Sequence, residues 1–265
     1  MNINKFISSS SNPQIKKLVQ YLKKAKTRKE DGVFVCEGQK MFLEILNQFP
    51  EKIIKCYLTK SAYDGLSDDE KLKLMKIDGD LVDDKVFSQV AETVSPQGFM
   101  AIVEMPKYSL PELLGTGKTK LLILDDLRDP GNMGTIIRTA EAAGVTGILM
   151  SKETVDVTNP KVVRSTMGAL LRVPLMYADN LKEEISKIRE QKPDFKLYVS
   201  ALKASISYKT ACYQGDYGIV VGNEANGVSE EIINQADQCL IIPMAGKVES
   251  LNAAIAAALL MYADN

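Results

Sequence analysis

The 265-residue sequence contains no histidine and no tryptophan. Without histidine it lacks the commonest general base and the commonest metal ligand. Any catalysis must rest on Arg, Lys, Asp, Glu, Ser, Tyr or main-chain groups, and no metal site is expected. Cysteine is scarce: Cys36, Cys56, Cys212 and Cys239 stand far apart and form no CxxC pair. That argues against a zinc ribbon or a thioredoxin-like motif. Cys36 and Cys239 lie in apolar runs and read as small buried hydrophobes, in keeping with a reducing, cytoplasmic setting. Net charge is nearly absent, with Lys+Arg 33 against Asp+Glu 34. A uniformly basic nucleic-acid binder is excluded; a local basic face is not. Long apolar runs are missing as well. Residues 253–262 form the longest near the C-terminus, far short of a membrane span, and the first residues carry no apolar core of a secretory signal.

What is present is ordinary globular composition, 45% hydrophobic and 25% charged. The length suggests two domains, and a chain this long buries roughly 70–75% of its unfolded surface. Residues 1–29 hold Lys5, Lys16, Lys17, Lys23, Lys24, Lys26, Arg28 and Lys29 and no acid. Ile15, Leu18, Val19 and Leu22 recur at helical spacing, predicting a helix from about Asn12 to Lys26 with Pro13 in its first turn. The basic residues on its exposed side are either a solvated face or a phosphate-binding stripe. Strand-like pieces at 32–36, 52–59 and 98–104, with a helical stretch at 39–47, suggest a small α/β domain over residues 1–105. Residues 106–119, with Pro106, Pro111, Gly115 and Gly117, read as a linker. Its Gly117-Lys118-Thr119 is no phosphate loop, because the position that needs the first glycine is Glu112.

From residue 120 to 265 the period changes. Short apolar runs at 121–125, 146–150, 171–177, 196–201, 217–222 and 238–243 are mostly separated by helical patterns at 135–143, 160–170, 181–190, 230–236 and 250–262. Continuous apolar strands alternating with helices predict an α/β domain with a parallel sheet covered on both faces. In such sheets ligands bind beyond the carboxyl ends of the strands. Three segments fall there. Residues 125–138 run from strand through a Gly/Pro/Asn turn into a helix carrying Asn132 and Arg138. Residues 219–228 end a strand in a loop with Gly222 and Gly227 around Glu224. Residues 240–252 run from Ile242, Pro243 and Met244 to Ser250, Leu251 and Asn252, followed by an alanine-rich helix for which Ser250 resembles an N-cap. Each alone reads equally well as a structural turn. A dinucleotide fingerprint would need a third glycine beside Gly131 and Gly134, which leaves a dehydrogenase reading poorly supported.

Taken in order, Asn…Arg, Gly-Asn-Glu…Gly and Ile-Pro-Met…Ser-Leu-Asn resemble the three motifs of the SpoU/TrmH family of RNA 2′-O-ribose methyltransferases, in the SPOUT superfamily. The likeness covers roughly residues 118–265. Arg28 with Phe34-Val35-Cys36-Glu37-Gly38 gives a less specific likeness of residues 1–105 to the small ribosomal-protein-like α/β substrate-binding domain often attached to that family. The resemblance implies a deep trefoil knot in the C-terminal domain, a homodimer formed through it, and S-adenosyl-L-methionine as methyl donor. It implies Gly222, Ile242, Met244 and Leu251 as cofactor-binding positions, and Asn132, Arg138, Glu224, Ser250 and Asn252 as catalytic and substrate-orienting ones. On this basis Lys16, Lys23, Lys24, Lys26 and Arg28 become RNA-binding candidates. The expected substrate is structured RNA, ribosomal RNA ahead of transfer RNA; a non-catalytic RNA-binding or ribosome-assembly module is the alternative. Family proposals make the motif arginine the base, but a guanidinium is scarcely ever neutral at pH 7. Arg138 is therefore expected as an electrostatic clamp, with Glu224 either accepting the proton or orienting Arg138, and Ser250 either catalytic or a cap.

Overall fold

The computed structural model describes residues 2–201 and 206–264, with side chains from Lys5 onward. The chain divides into two compact units. The first comprises residues 1–106 together with 156–168. In chain order it contains β1 (Asn2–Ile7), α1 (Pro13–Lys23), α2 (Ala25–Asp31), β2 (Val33–Glu37), α3 (Gln39–Gln48), β3 (Ile53–Leu58), α4 (Lys60–Asp64), α5 (Asp68–Leu74), β4 (Asp78–Val82), α6 (Asp84–Val90) and β5 (Phe99–Glu104). Its five-stranded sheet has the order β1-β4-β3-β5-β2 and is mixed: β1, β4 and β3 run parallel, while β5 is antiparallel to both β3 and β2. Ile15, Leu18 and Leu22 of α1 and Val86, Phe87 and Val90 of α6 pack with Val33, Val35 and Met100 of the sheet.

The basic helix expected from 12 to 26 is two helices. Lys24 takes an extended conformation (φ −120°, ψ 106°), ending α1 and preceding α2. That break turns Arg28 inward, where it is 3% exposed. Its Nη1 donates to the carbonyls of Tyr21 and Leu22 at 2.7 and 3.2 Å, its Nε to Thr158 Oγ1 at 3.0 Å and its Nη2 to Asp156 Oδ2 at 2.6 Å. Arg28 is therefore a structural anchor and not the RNA contact expected of it: four of its five N–H donors are engaged and burial bars a phosphate. Lys16, Lys23, Lys24 and Lys26 are exposed.

The second unit comprises residues 107–155 and 169–265. It contains α7 (Leu110–Leu114), β6 (Lys120–Leu124), α8 (Pro130–Ala142) and β7 (Gly147–Ser151). The chain then contributes α9 (Pro160–Thr166) to the first unit, where it packs on β2. It continues with β8 (Leu175–Ala178), α10 (Leu181–Gln191), β9 (Lys196–Ser200), β10 (Ile206–Ser207), β11 (Tyr217–Val221), α11 (Glu230–Ile233), β12 (Gln238–Ile241) and α12 (Ala253–Met261). All seven strands are parallel, in the order β10-β12-β9-β11-β6-β7-β8. The central strands β6, β7 and β11 are buried along their whole length, as continuous apolar runs require. Within the stretch read as a linker, α7 buries Leu110, Leu113 and Leu114 against Leu121 and Leu149. No helix among the described residues is long and apolar enough to cross a membrane.

Candidate active site

Because the strands are parallel, the chain leaves β6, β11 and β12 at the same edge of the sheet. β6 and β11 are direct neighbours, and Asp125 N continues their ladder by donating to the Val221 carbonyl at 2.9 Å. β9 separates β11 from β12, but α12 packs against both α8 and β11 and brings the third segment back to the first two. The three candidate segments are thus adjacent in space.

Their side chains are joined. Asn252 is the N-cap of α12, its Oδ1 accepting from Ala254 N at 2.9 Å and Ile255 N at 3.3 Å. With the oxygen so used, its Nδ2 faces Asn132, donating to Oδ1 at 2.9 Å. Asn132 then presents its own Nδ2 to Glu224 Oε1, also at 2.9 Å. The cap thereby sets the direction of every amide in the chain. Glu224 also accepts from Asp129 N at 3.1 Å and Arg128 N at 3.2 Å. Burial pushes its carboxyl up, but the hydrogen bonds from Asn132 and from main-chain N–H groups outweigh this and hold it below the ordinary value of 4.5. A carboxylate so committed is a weak base and a firm organiser.

The loop after β11 is shaped by two glycines. Gly227, at φ +72°, closes a tight turn in which Asn223 and Gly227 exchange main-chain hydrogen bonds, both of 2.9 Å. This folds the loop back over Gly222, where an added Cβ would stand 2.2–2.3 Å from main-chain atoms of Gly227 and Val228. Asn223 Oδ1 accepts from Ala225 N and Asn226 N, and its Nδ2 donates to the Asp126 carbonyl at 2.9 Å.

The network thus brings together Asn132, Glu224 and Asn252. It does not bring in Arg138, which is exposed on α8 and has no ion-pair partner among the described residues, nor Ser250, which is exposed and caps no helix. The cap lies two residues further on, at Asn252. Gly222 is buried, while Ile242, Met244 and Leu251 are half-buried; the stretch from Ile242 to Leu251 lies outside helices and strands. Sequence reasoning missed Asp129 and Asn223. Asp129 is the N-cap of α8, its Oδ1 accepting from Asn132 N at 2.8 Å, and an Asp-Pro-Gly-Asn helix start was the available signal. Nothing in the sequence marked Asn223 as the brace between two loops.

Residues 119–262 match the SpoU rRNA Methylase family, and residues 12–101 match the MRM3-like substrate binding domain. The 23S rRNA (guanosine(2553)-2′-O)-methyltransferase RlmP of Bacillus subtilis is 33% identical over 264 residues, covering 97% of this chain and 98% of the relative. The crystal structure of an AdoMet-bound rRNA methyltransferase from Sinorhizobium meliloti superposes with a TM-score of 0.85 at 29% identity, covering 97% and 96% of the two chains. That of an RNA 2′-O ribose methyltransferase does so with a TM-score of 0.78 at 27% identity, covering 97% of each. The chain belongs to the SpoU rRNA methylase family.

Proposed function

We propose that this chain transfers a methyl group from S-adenosyl-L-methionine to a ribose 2′-hydroxyl of ribosomal RNA, in the cytoplasm. The observation that carries this reading is the Asn252–Asn132–Glu224 hydrogen-bond chain, which unites three segments far apart in sequence at the ligand-binding edge of a parallel sheet. The residues present suit the donor chemically. Ile242, Met244 and Leu251 offer half-exposed apolar side chains to a flat purine, beside main chain outside helices and strands that can bind its edges. The loop folded closely over Gly222 would supply the other wall. The arrangement is consistent with a knotted C-terminal domain, the last helix passing back across β11.

When bound, the donor supplies a methyl on sulfonium and departs without needing a proton. The hydroxyl proton passes to an oxygen of the adjacent RNA phosphate and on to water, and the chain's residues stabilise the growing charge on oxygen. Glu224, already holding three N–H donors, organises the site through Asn132. Arg138 clamps the adjacent RNA phosphate and stabilises the developing alkoxide, while Ser250 orients the substrate. Lys16, Lys23, Lys24 and Lys26 grip phosphates elsewhere on the RNA, adding affinity with little sequence selectivity.

The working form is a homodimer built on α12. Ile255 and Tyr262, 52% and 45% exposed, flank half-buried Ala258 and Leu259 at helical spacing. A cavity of about 420 Å³ lined by Tyr208, Lys209, Ala258, Leu259, Tyr262 and Ala263 lies on the same side. A second copy would cover this stripe by two-fold symmetry, and Ile255→Asp should lower the mass seen by light scattering.

The decisive experiment maps 2′-O-methyl positions in ribosomal RNA from cells with and without the chain. A missing methyl that reappears with the wild type but not with Arg138→Ala supports the reading. In vitro, Arg138→Ala should abolish transfer while leaving cofactor affinity nearly intact; equal loss of both removes Arg138 from the chemistry.

A further inference from the structure

The turn that leads into the site is acidic, although its substrate is a polyanion. Asp125, Asp126, Asp129 and Glu224 all lie on the β6–α8 turn or on the loop after β11. Three of these carboxylates are committed to main-chain donors: Asp125 Oδ2 accepts from Ser229 N at 2.9 Å, Asp129 Oδ1 from Asn132 N at 2.8 Å, and Glu224 from two main-chain N–H groups besides Asn132. The basic side chain of this turn is Arg128, 61% exposed, whose Nε donates to Asp126 Oδ1.

Asp126 is held in an uncommon state. Its φ of +59° lies in the left-handed region, where glycine sits without strain and an L residue seldom does. Two neighbouring loops keep it there. Its N–H donates to Ser151 Oγ at 3.0 Å, while its carbonyl and Oδ2 accept from Asn223 Nδ2 at 2.9 and 3.3 Å. The chain thus places a carboxylate where glycine would suit the backbone better, and that carboxylate binds Arg128. Local strain of this kind gathers at functional sites.

We infer that Arg128 is an RNA-phosphate contact at the mouth of the site and that Asp126 is the positioning residue presenting its guanidinium. The inference rests on the RNA methyl-transfer reading and deepens it. The main-chain N–H of Arg128 is fixed on Glu224 Oε2 at 3.2 Å, so the root of the side chain is tied to the catalytic network while its head stays in solvent. Asp126 occupies the Nε edge of the guanidinium. The outer Nη donors remain for two oxygens of one phosphate, the paired geometry at which Arg excels. An exposed ion pair contributes little to folding, which leaves orientation as the effect of the pair. The Arg128 guanidinium offsets, for an arriving phosphate, the repulsion of the surrounding acids.

The test measures methyl transfer from labelled S-adenosylmethionine to ribosomal RNA extracted from cells lacking this chain, together with filter binding of the same RNA. Arg128→Ala should raise the KM for RNA about tenfold, kcat carrying the smaller share of the loss, and should lower the salt slope of RNA binding by about one. Donor affinity, read by calorimetry, should not move. Arg128→Lys should restore the salt slope but leave KM several-fold high, because a point charge replaces the fork. Asp126→Asn tolerates the left-handed backbone yet loses the charge, and should raise KM without lowering Tm. Wild-type KM and salt slope in Arg128→Ala overturn the inference. A wild-type chain that methylates no RNA overturns the reading beneath it, and filter binding then still decides whether Arg128 touches RNA.

Discussion

Asn132 and Asn252 stand 120 residues apart in the chain and meet through a single hydrogen bond of 2.9 Å, Asn252 Nδ2 donating to Asn132 Oδ1. Both amides also bond elsewhere, since Asn252 caps α12 and Asn132 donates to Glu224. Asn132→Ala should therefore lower methyl transfer by roughly 10²-fold, the scale of a small misplacement in a site. Asn132→Asp should cost more, because it sets a second carboxylate against Glu224. A double-mutant cycle with Asn252→Ala, read on kcat/KM, should show strong non-additivity; additive losses would mean that the two amides act separately.

Glu224→Gln separates an organiser from a base. If the carboxylate only orders the turn, the variant should keep measurable activity, roughly a tenth of wild type, the loss expected when a charge-assisted hydrogen bond becomes a neutral one. The acid limb of its pH–rate profile should keep its shape. Loss of the limb together with nearly all activity would make Glu224 the proton acceptor.

Gly222→Ala forces a methyl group to within 2.2–2.3 Å of the Gly227 and Val228 main chain. The loop must open. The expected outcome is a stability loss of about 1–3 kcal/mol, as for overpacking, with donor binding lost by calorimetry while the secondary structure seen by circular dichroism persists.

Asp264 ties the end of the chain to the start of the parallel sheet. It accepts from Lys120 Nζ at 2.5 Å and Tyr217 Oη at 2.6 Å. Burial pushes its carboxyl up, but the hydrogen bonds from Lys120 and Tyr217 outweigh this and hold it below the ordinary 3.8. A carboxyl lowered by folding stabilises above its unfolded value, and the contribution is lost as pH falls through the folded one. Asp264→Asn should cost about 2 kcal/mol near neutrality. The gap to wild type in urea melts should stay constant above about pH 5 and close progressively below pH 3.8.

Arg28 and the lysines around it should part company. Arg28→Ala removes a buried guanidinium and leaves the half-buried Asp156 without its charge partner. It should destabilise the chain by about 3–5 kcal/mol in denaturant melts. Lys23→Ala with Lys24→Ala should leave the melts unchanged and lower the salt slope of RNA binding by about two. An unchanged slope would return these lysines to the ordinary solvated surface.

Legibility followed hydrophobic pattern. β6, β7, β9 and β11 were readable because strands buried on both faces are continuous apolar runs. β4 was not: Asp78-Gly79-Asp80-Leu81-Val82 carries two acids and a glycine, and it is a strand only because β1 and β3 pair with it on either side. The helix at 110–114 hid in a stretch rich in proline and glycine, though its three leucines are core. Ser250 looked like a cap from its place before an apolar run, yet Asn252 holds that position because its amide can cap the helix and reach Asn132 together.

By itself the sequence determined the alternation of strand and helix, the absence of histidine chemistry, and the order of the three motif segments, for these are local matters of pattern and composition. Only the tertiary structure decided which residues of those segments touch, that Arg28 faces inward, and that Asp126 takes a left-handed turn beneath Arg128. Contacts between distant segments depend on strand order and loop closure, and no local period encodes either.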